Sequence, residues 1–180
     1  MVRGTETKAA TLILTVICVA LCLIQLVVHW PSLAEIGICK DCDILARLSY
    51  SFFHGNLLHC LVNCWCMLSV AFVFTVPLSW LLLSYGIAVS FPDMLLDTTP
   101  TVGLSAILFA LLGQVSWMTK RKWAFHVWAL SFITFGTLLP LLAAACGYHI
   151  ASPNNILHLY SYVVGLMVGF FNSPVPWRRK

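Results

Sequence analysis

Charge is absent from four stretches of the chain: residues 9–34, 48–92, 98–119 and 123–177, which are 26, 45, 22 and 55 residues long. A helix that crosses a bilayer needs about 20 apolar residues. The two shorter stretches therefore predict one helix each and the two longer ones predict two each. The long stretches carry their own breaks. Pro77 in FTVPLSW interrupts the first, and the turn-forming, polar GYHIASPNN at 147–155 interrupts the second. Six spans follow, over 10–30, 52–75, 77–92, 102–118, 123–147 and 154–172, with residues 31–50 as the only sizeable loop. No repeat or linker divides the chain, so the expectation is a single six-helix membrane domain over 1–180. The first apolar segment is longer than the core of a signal peptide, and HWPSLAE offers no clear small-residue cleavage site, so it is read as a helix.

Composition and charge sharpen this picture. A chain that is 61% hydrophobic and 9% charged lies far from soluble globular usage. Arg3, Lys8, Lys120, Arg121, Lys122, Arg178, Arg179 and Lys180 fall on one side of the predicted membrane. Lys40 and Arg47 fall on the other, with Glu35, Asp41, Asp43, Asp93 and Asp97. The excess of lysine and arginine predicts that both termini face the cytoplasm, in a plasma or inner membrane. The net charge of +4 is then a topology signal, and no nucleic-acid partner is implied. Six cysteines (Cys18, Cys22, Cys60, Cys64, Cys66 and Cys146) lie in apolar spans, where they act as small hydrophobes. Cys39 and Cys42, in ICKDCD, fall in the outer loop and would pair if that compartment oxidises. A lone CxxC is weak evidence for zinc, and no cofactor is expected.

The polar residues inside the spans are costly in hydrocarbon and call for a partner or a task. His54, His59 and Asn63 occur together in FFHGNLLHCLVN. On a helix, His59 and Asn63 are four apart and share a face; His54 lies roughly 140° round and about 7.5 Å towards the outer end. The fourth span begins VGLSAILFALLG, placing Gly103 and Ser105 near the outer surface, with Phe109 and Gly113 following on the serine's face and Ala106 and Ala110 beside it. In the sixth, NNILHLYSYVVGLMVGFF, His158 lies in the outer half. Ser161, Gly165 and Gly169 form a stripe of small residues that lets helices approach closely. Ala110 and Gly113 offer a matching surface, which would carry His158 towards Ser105. Each polar residue also has a plain structural role open to it, a hydrogen bond to a neighbouring helix or to a backbone carbonyl.

Together they suggest chemistry. A serine becomes nucleophilic when a base accepts its proton, and histidine is the usual base. A tetrahedral intermediate needs donors aimed at its oxyanion, and His59, Asn63 and the Ser105 amide carry suitable N–H groups. No carboxylate occurs within the spans, so a Ser-His dyad is what remains of a triad. Paired membrane aspartates and HExxH, the marks of two other intramembrane protease chemistries, are absent.

These residues resemble the rhomboid intramembrane serine proteases. The resemblance rests on three motifs in order: His54, His59 and Asn63 as H-x4-H-x3-N; Gly103-Leu104-Ser105 as G-x-S, followed by ALLG at 110–113; and His158 seven residues before Gly165, with Asn155 three before it. It covers nearly the whole chain as a minimal rhomboid-like six-helix bundle. It implies Ser105 as nucleophile and His158 as general base, an oxyanion hole of His59, Asn63 and the Ser105 amide, and His54 shaping the outer end of the cavity. The fifth helix and the 147–155 loop would serve as gate and cap. The implied partners are the bilayer and the transmembrane segments of other proteins, cut near their outer end. The chain departs from the family pattern in having Ala106 for a glycine after the serine, Phe109 for a tyrosine, and Leu157 and Ser161 for smaller residues beside the histidine. Arg47 is only a rough counterpart of the usual outer-loop Trp-Arg pair. Two other readings stay open: a catalytically inactive relative that binds membrane-protein clients, and a channel, carrier or metal-binding protein using the histidines as ligands.

Overall fold

The computed structural model describes residues 3–28, 32–147 and 154–172. Among these residues eight α-helices carry the fold: α1 (Arg3–Val28), α2 (Leu33–Ile36), α3 (Ile44–Ser49), α4 (Leu57–Val73), α5 (Leu78–Val89), α6 (Ser105–Val115), α7 (Lys122–Ala145) and α8 (Asn155–Asn172). Three 3₁₀ turns, at Tyr50–Phe52, Asp93–Leu95 and Ser116–Met118, join them. α1, α7 and α8 are long and apolar enough to cross a membrane. The segments Ile44–Phe52 and Leu57–Val73 would count as a fourth crossing if taken together, but they meet at 78°; α5 and α6 are shorter apolar helices. Residues 148–153, most of the expected cap loop, lie outside the described residues, as does the basic C-terminal end.

The expected helix over 52–75 starts later than its apolar pattern suggests. Asn56 caps α4, its side-chain oxygen accepting the His59 N–H at 2.8 Å. An asparagine in this position satisfies a helix-end amide that would otherwise lack a partner. His54 therefore lies in the turn before α4 and not on its wheel, which corrects the 140° placement. Gly103 likewise precedes its helix.

α6 is the centre of the bundle, with all eleven of its residues buried. Among the described residues the most extensive helix contact is between α6 and α8. The small-residue stripe explains it. A β-carbon on Gly165 would meet the Ala110 carbonyl carbon at 2.8 Å. One on Gly113 would meet the Leu166 amide nitrogen at 2.6 Å, and one on Gly169 the Gln114 α-carbon at 2.7 Å. These are backbone atoms, which cannot swing aside. On the other side of α6, Gln114 donates to the Trp80 carbonyl (3.1 Å) and the Ser84 hydroxyl (2.7 Å), tying α5 to α6 in a buried polar contact. α1 packs on α4 through a buried face of Thr7, Thr11, Thr15, Cys18 and Cys22, and the Thr7 hydroxyl donates to the Val76 carbonyl at 2.6 Å.

α7 is the exception. Of its 24 residues only Ala129 is buried. Two polar contacts hold it to α8: His126 Nδ1 with the Tyr162 hydroxyl at 2.6 Å, and the Asn155 amide donating to the Thr137 hydroxyl at 2.7 Å.

Gly165→Ala should strongly lower the thermal midpoint in detergent, because the added methyl meets the Ala110 backbone across a rigid seam; overpacking of this kind costs about 1–3 kcal/mol or more. Gly86→Ala is the control. Nothing lies within 4 Å of its β-carbon position, and alanine is the better helix former, so its midpoint should hold or rise.

Candidate active site

The site lies where the start of α6 meets α8. Ser105 is the first residue of α6, and its hydroxyl is 2.8 Å from His158 Nε2. Both residues are buried, each 8% exposed. With the serine O–H donating to Nε2, the proton of a neutral imidazole lies on Nδ1. Phe109, one turn after Ser105, stacks on the His158 ring with centroids 4.7 Å apart and planes inclined by 28°. The imidazole is thus fixed on one face by an aromatic ring and at one edge by the serine. No Asp or Glu occurs in α4 to α8, so the pair stands without a third, acidic member.

His158 owes its position to Asn154. That residue's side chain accepts the Leu157 N–H at 3.0 Å and its carbonyl accepts the His158 N–H at 3.1 Å. The predicted supporting residue, Asn155, turns instead to Thr137 on α7. Sequence reasoning missed Asn154, although an asparagine immediately before an apolar helical run is a recognisable capping signal.

His59 and Asn63 come from successive turns of α4 and meet the backbone at Gly103. A β-carbon there would lie 2.8 Å from His59 Cε1, 3.2 Å from His59 Nε2 and 3.5 Å from Asn63 Nδ2. Gly103 also has a φ of +130°, which side chains other than hydrogen rarely tolerate. The residue must be glycine for both reasons. Asn63 is buried, and its amide nitrogen makes no hydrogen bond among the described residues. Leaving such a donor unmade carries a free-energy cost. His54 packs edge-on against His59 at 5.2 Å, and its Nε2 accepts the Leu104 N–H at 3.3 Å. It joins the turn before α4 to the residue preceding the serine.

A collar of loop contacts fixes Gly103. Its N–H donates to the Tyr50 carbonyl at 3.0 Å, and the Tyr50 hydroxyl donates to Ala88 at 3.0 Å. Ile38 and Thr101 exchange two backbone hydrogen bonds of 2.9 Å, and Lys40 N–H donates to the Asp97 carbonyl at 2.8 Å. Arg47 donates to the carbonyls of Val89 (3.1 Å) and Phe91 (2.6 Å) and pairs with Asp93. Arg47 therefore clamps α3 to the end of α5 and the turn that follows it, a larger structural role than its sequence position suggests. Ala106, which replaces the expected glycine, is fully buried in the hydrophobic core beside Ile107 and Leu108. The described residues contain no cluster of three or more histidines, cysteines or acids that could hold a metal ion.

An all-helical assembly of apolar helices around a buried serine–histidine contact fits an integral membrane protein. The rhomboid domain model matches residues 42–175, about three quarters of the chain, and the protein belongs to the rhomboid family. Members of that family are usually intramembrane serine proteases. No curated protein matches the chain.

Proposed function

We propose that this rhomboid is an active intramembrane serine endopeptidase that cleaves transmembrane segments of other membrane proteins near their outer end. The observation that carries the proposal is the 2.8 Å contact between Ser105 and His158 Nε2 in a buried, carboxylate-free setting. In the reaction, Ser105 Oγ attacks the scissile carbonyl while its proton passes to His158 Nε2. The new oxyanion accepts hydrogen bonds from His59, Asn63 and the Ser105 N–H. His158 then gives the proton to the departing amine, leaving an acyl-enzyme. Water, deprotonated by His158, attacks the ester and returns the serine. The unpartnered Asn63 amide supports this assignment: a buried donor without an acceptor gains most when negative charge develops beside it.

The active enzyme has six spans with both termini in the cytoplasm, α5 and α6 being the short crossings. Its site opens to the outer face of a plasma or inner membrane, and α7 is the gate. The loose attachment of α7 favours that role.

The test is co-expression with a panel of single-span membrane proteins, comparing wild type with Ser105→Ala. Product fragments that appear only with wild type are expected. Client proteins that associate equally with both forms and are never cut would favour the inactive, client-binding relative.

A further inference from the structure

Cys39 and Cys42 lie outside the apolar helices and are partly open to solvent as free thiols. The Cys39 carbonyl accepts the Cys42 N–H at 3.2 Å, closing a turn with Lys40 and Asp41 at its tip. Asp41 has a φ of +62°, as the third residue of a type II turn requires. Such a turn brings its end α-carbons within about 7 Å, near the range a disulfide spans, about 4.4–6.8 Å. Burial, with Cys42 and Asp41 beside it, holds the Cys39 thiol above its ordinary value.

The turn is also mechanically connected. Ile38, immediately before Cys39, exchanges both backbone hydrogen bonds with Thr101. Lys40, inside the turn, donates to Asp97. The segment 97–104 so held runs into Gly103, which backs the two donor side chains, and then into Ser105.

We propose that Cys39 and Cys42 are a reversible dithiol–disulfide pair whose oxidation tightens the loop carrying Gly103 and so raises the reactivity of Ser105. This rests on the outward orientation and the protease reading given above. The oxidant is a disulfide of the outer compartment, either a small-molecule disulfide or a thiol-exchange protein. One protein thiolate attacks it, releasing one thiolate and forming a mixed disulfide. The second protein thiolate displaces the remaining half. Two thiols lose two protons and two electrons, and the external disulfide becomes two thiols.

The experiment uses the full chain in detergent, equilibrated with oxidised or reduced glutathione. Free thiols are alkylated and located by mass spectrometry, amide hydrogen exchange is followed across 97–104, and the rate of fluorophosphonate attachment to Ser105 is measured. Oxidation should remove Cys39 and Cys42 together from the alkylated set, slow exchange at Thr101 and Gly103 several-fold, and speed probe attachment several-fold. All three differences should vanish in Cys39→Ser/Cys42→Ser and persist in Cys146→Ser. The proposal is overturned if no Cys39–Cys42 disulfide forms, if exchange is the same in both states, or if a probe-reactive protein reacts equally fast in both. A protein unreactive to the probe in either state counts against the protease reading, while amide exchange still judges the brace.

Discussion

A fluorophosphonate probe should attach covalently to Ser105 in wild-type protein and not at all in Ser105→Ala. In an ordinary membrane helix a serine hydroxyl resists such a reagent, because its proton has nowhere to go and the developing phosphoryl charge finds no donors. Here the hydroxyl already lies 2.8 Å from an imidazole nitrogen. His158→Ala should therefore lose nearly all labelling while the protein stays folded, since Phe109 and the helix seam remain. Labelling should also fall as the solution is acidified. The sign follows from the base: only the neutral imidazole accepts the serine proton, so protonation removes the reactive form. Adducts located by mass spectrometry in the three proteins decide the matter. Labelling that persists without His158 would break the dyad, and well-folded wild type that resists probes of several sizes would favour the inactive relative.

The second large effect concerns the donors on α4. Loss of one oxyanion donor costs about 10²–10³ in turnover, and His59→Ala and Asn63→Ala should each fall in that range. Removing Asn63 also removes a buried, unsatisfied amide, so Asn63→Ala should lose activity while keeping, or slightly gaining, thermal stability. That opposition separates a catalytic donor from a structural one. A residue that merely joined helices would lose stability when truncated and leave turnover intact. Rates measured on any cleaved substrate from the panel, alongside melting curves of the same preparations, make the comparison.

What the sequence revealed and what it hid differ in physical kind. The seam between α6 and α8 was legible because it is periodic: Ser161, Gly165 and Gly169 repeat every four residues, and so do Ser105, Phe109 and Gly113. From that register the approach of His158 to Ser105 followed. The start of α4 was not legible from hydropathy, since Phe52 and Phe53 continue the apolar run while Asn56 ends it with one hydrogen bond. The collar was hidden for another reason. Ile38 and Thr101 are 63 positions apart and are joined by backbone hydrogen bonds, which no side-chain pattern records. Gly103 carried a partial signal as the first residue of G-x-S, but its need for glycine comes from its φ of +130° and from side chains on α4. Six spans were expected from charge-free lengths. α5, at 12 residues, and α6, at 11, are shorter than such counting supposes, because prolines and capping turns consume part of each apolar stretch.

The contrast between α6 and α7 bears on how freely the sequence of this protein can drift. Every position of α6 answers to neighbouring protein atoms, several of them backbone, so a change of one methylene is felt by a helix that touches it. Most positions of α7 are exposed, and in a bilayer they would answer to lipid, a solvent indifferent to which branched or aromatic side chain it meets. Two chains descended from this one would first part company along α7, away from His126 and Thr137, and would agree longest along α6. Random mutagenesis should leave the same imprint: a permissive outer helix, substituted at will among apolar residues, around a central one where few exchanges survive.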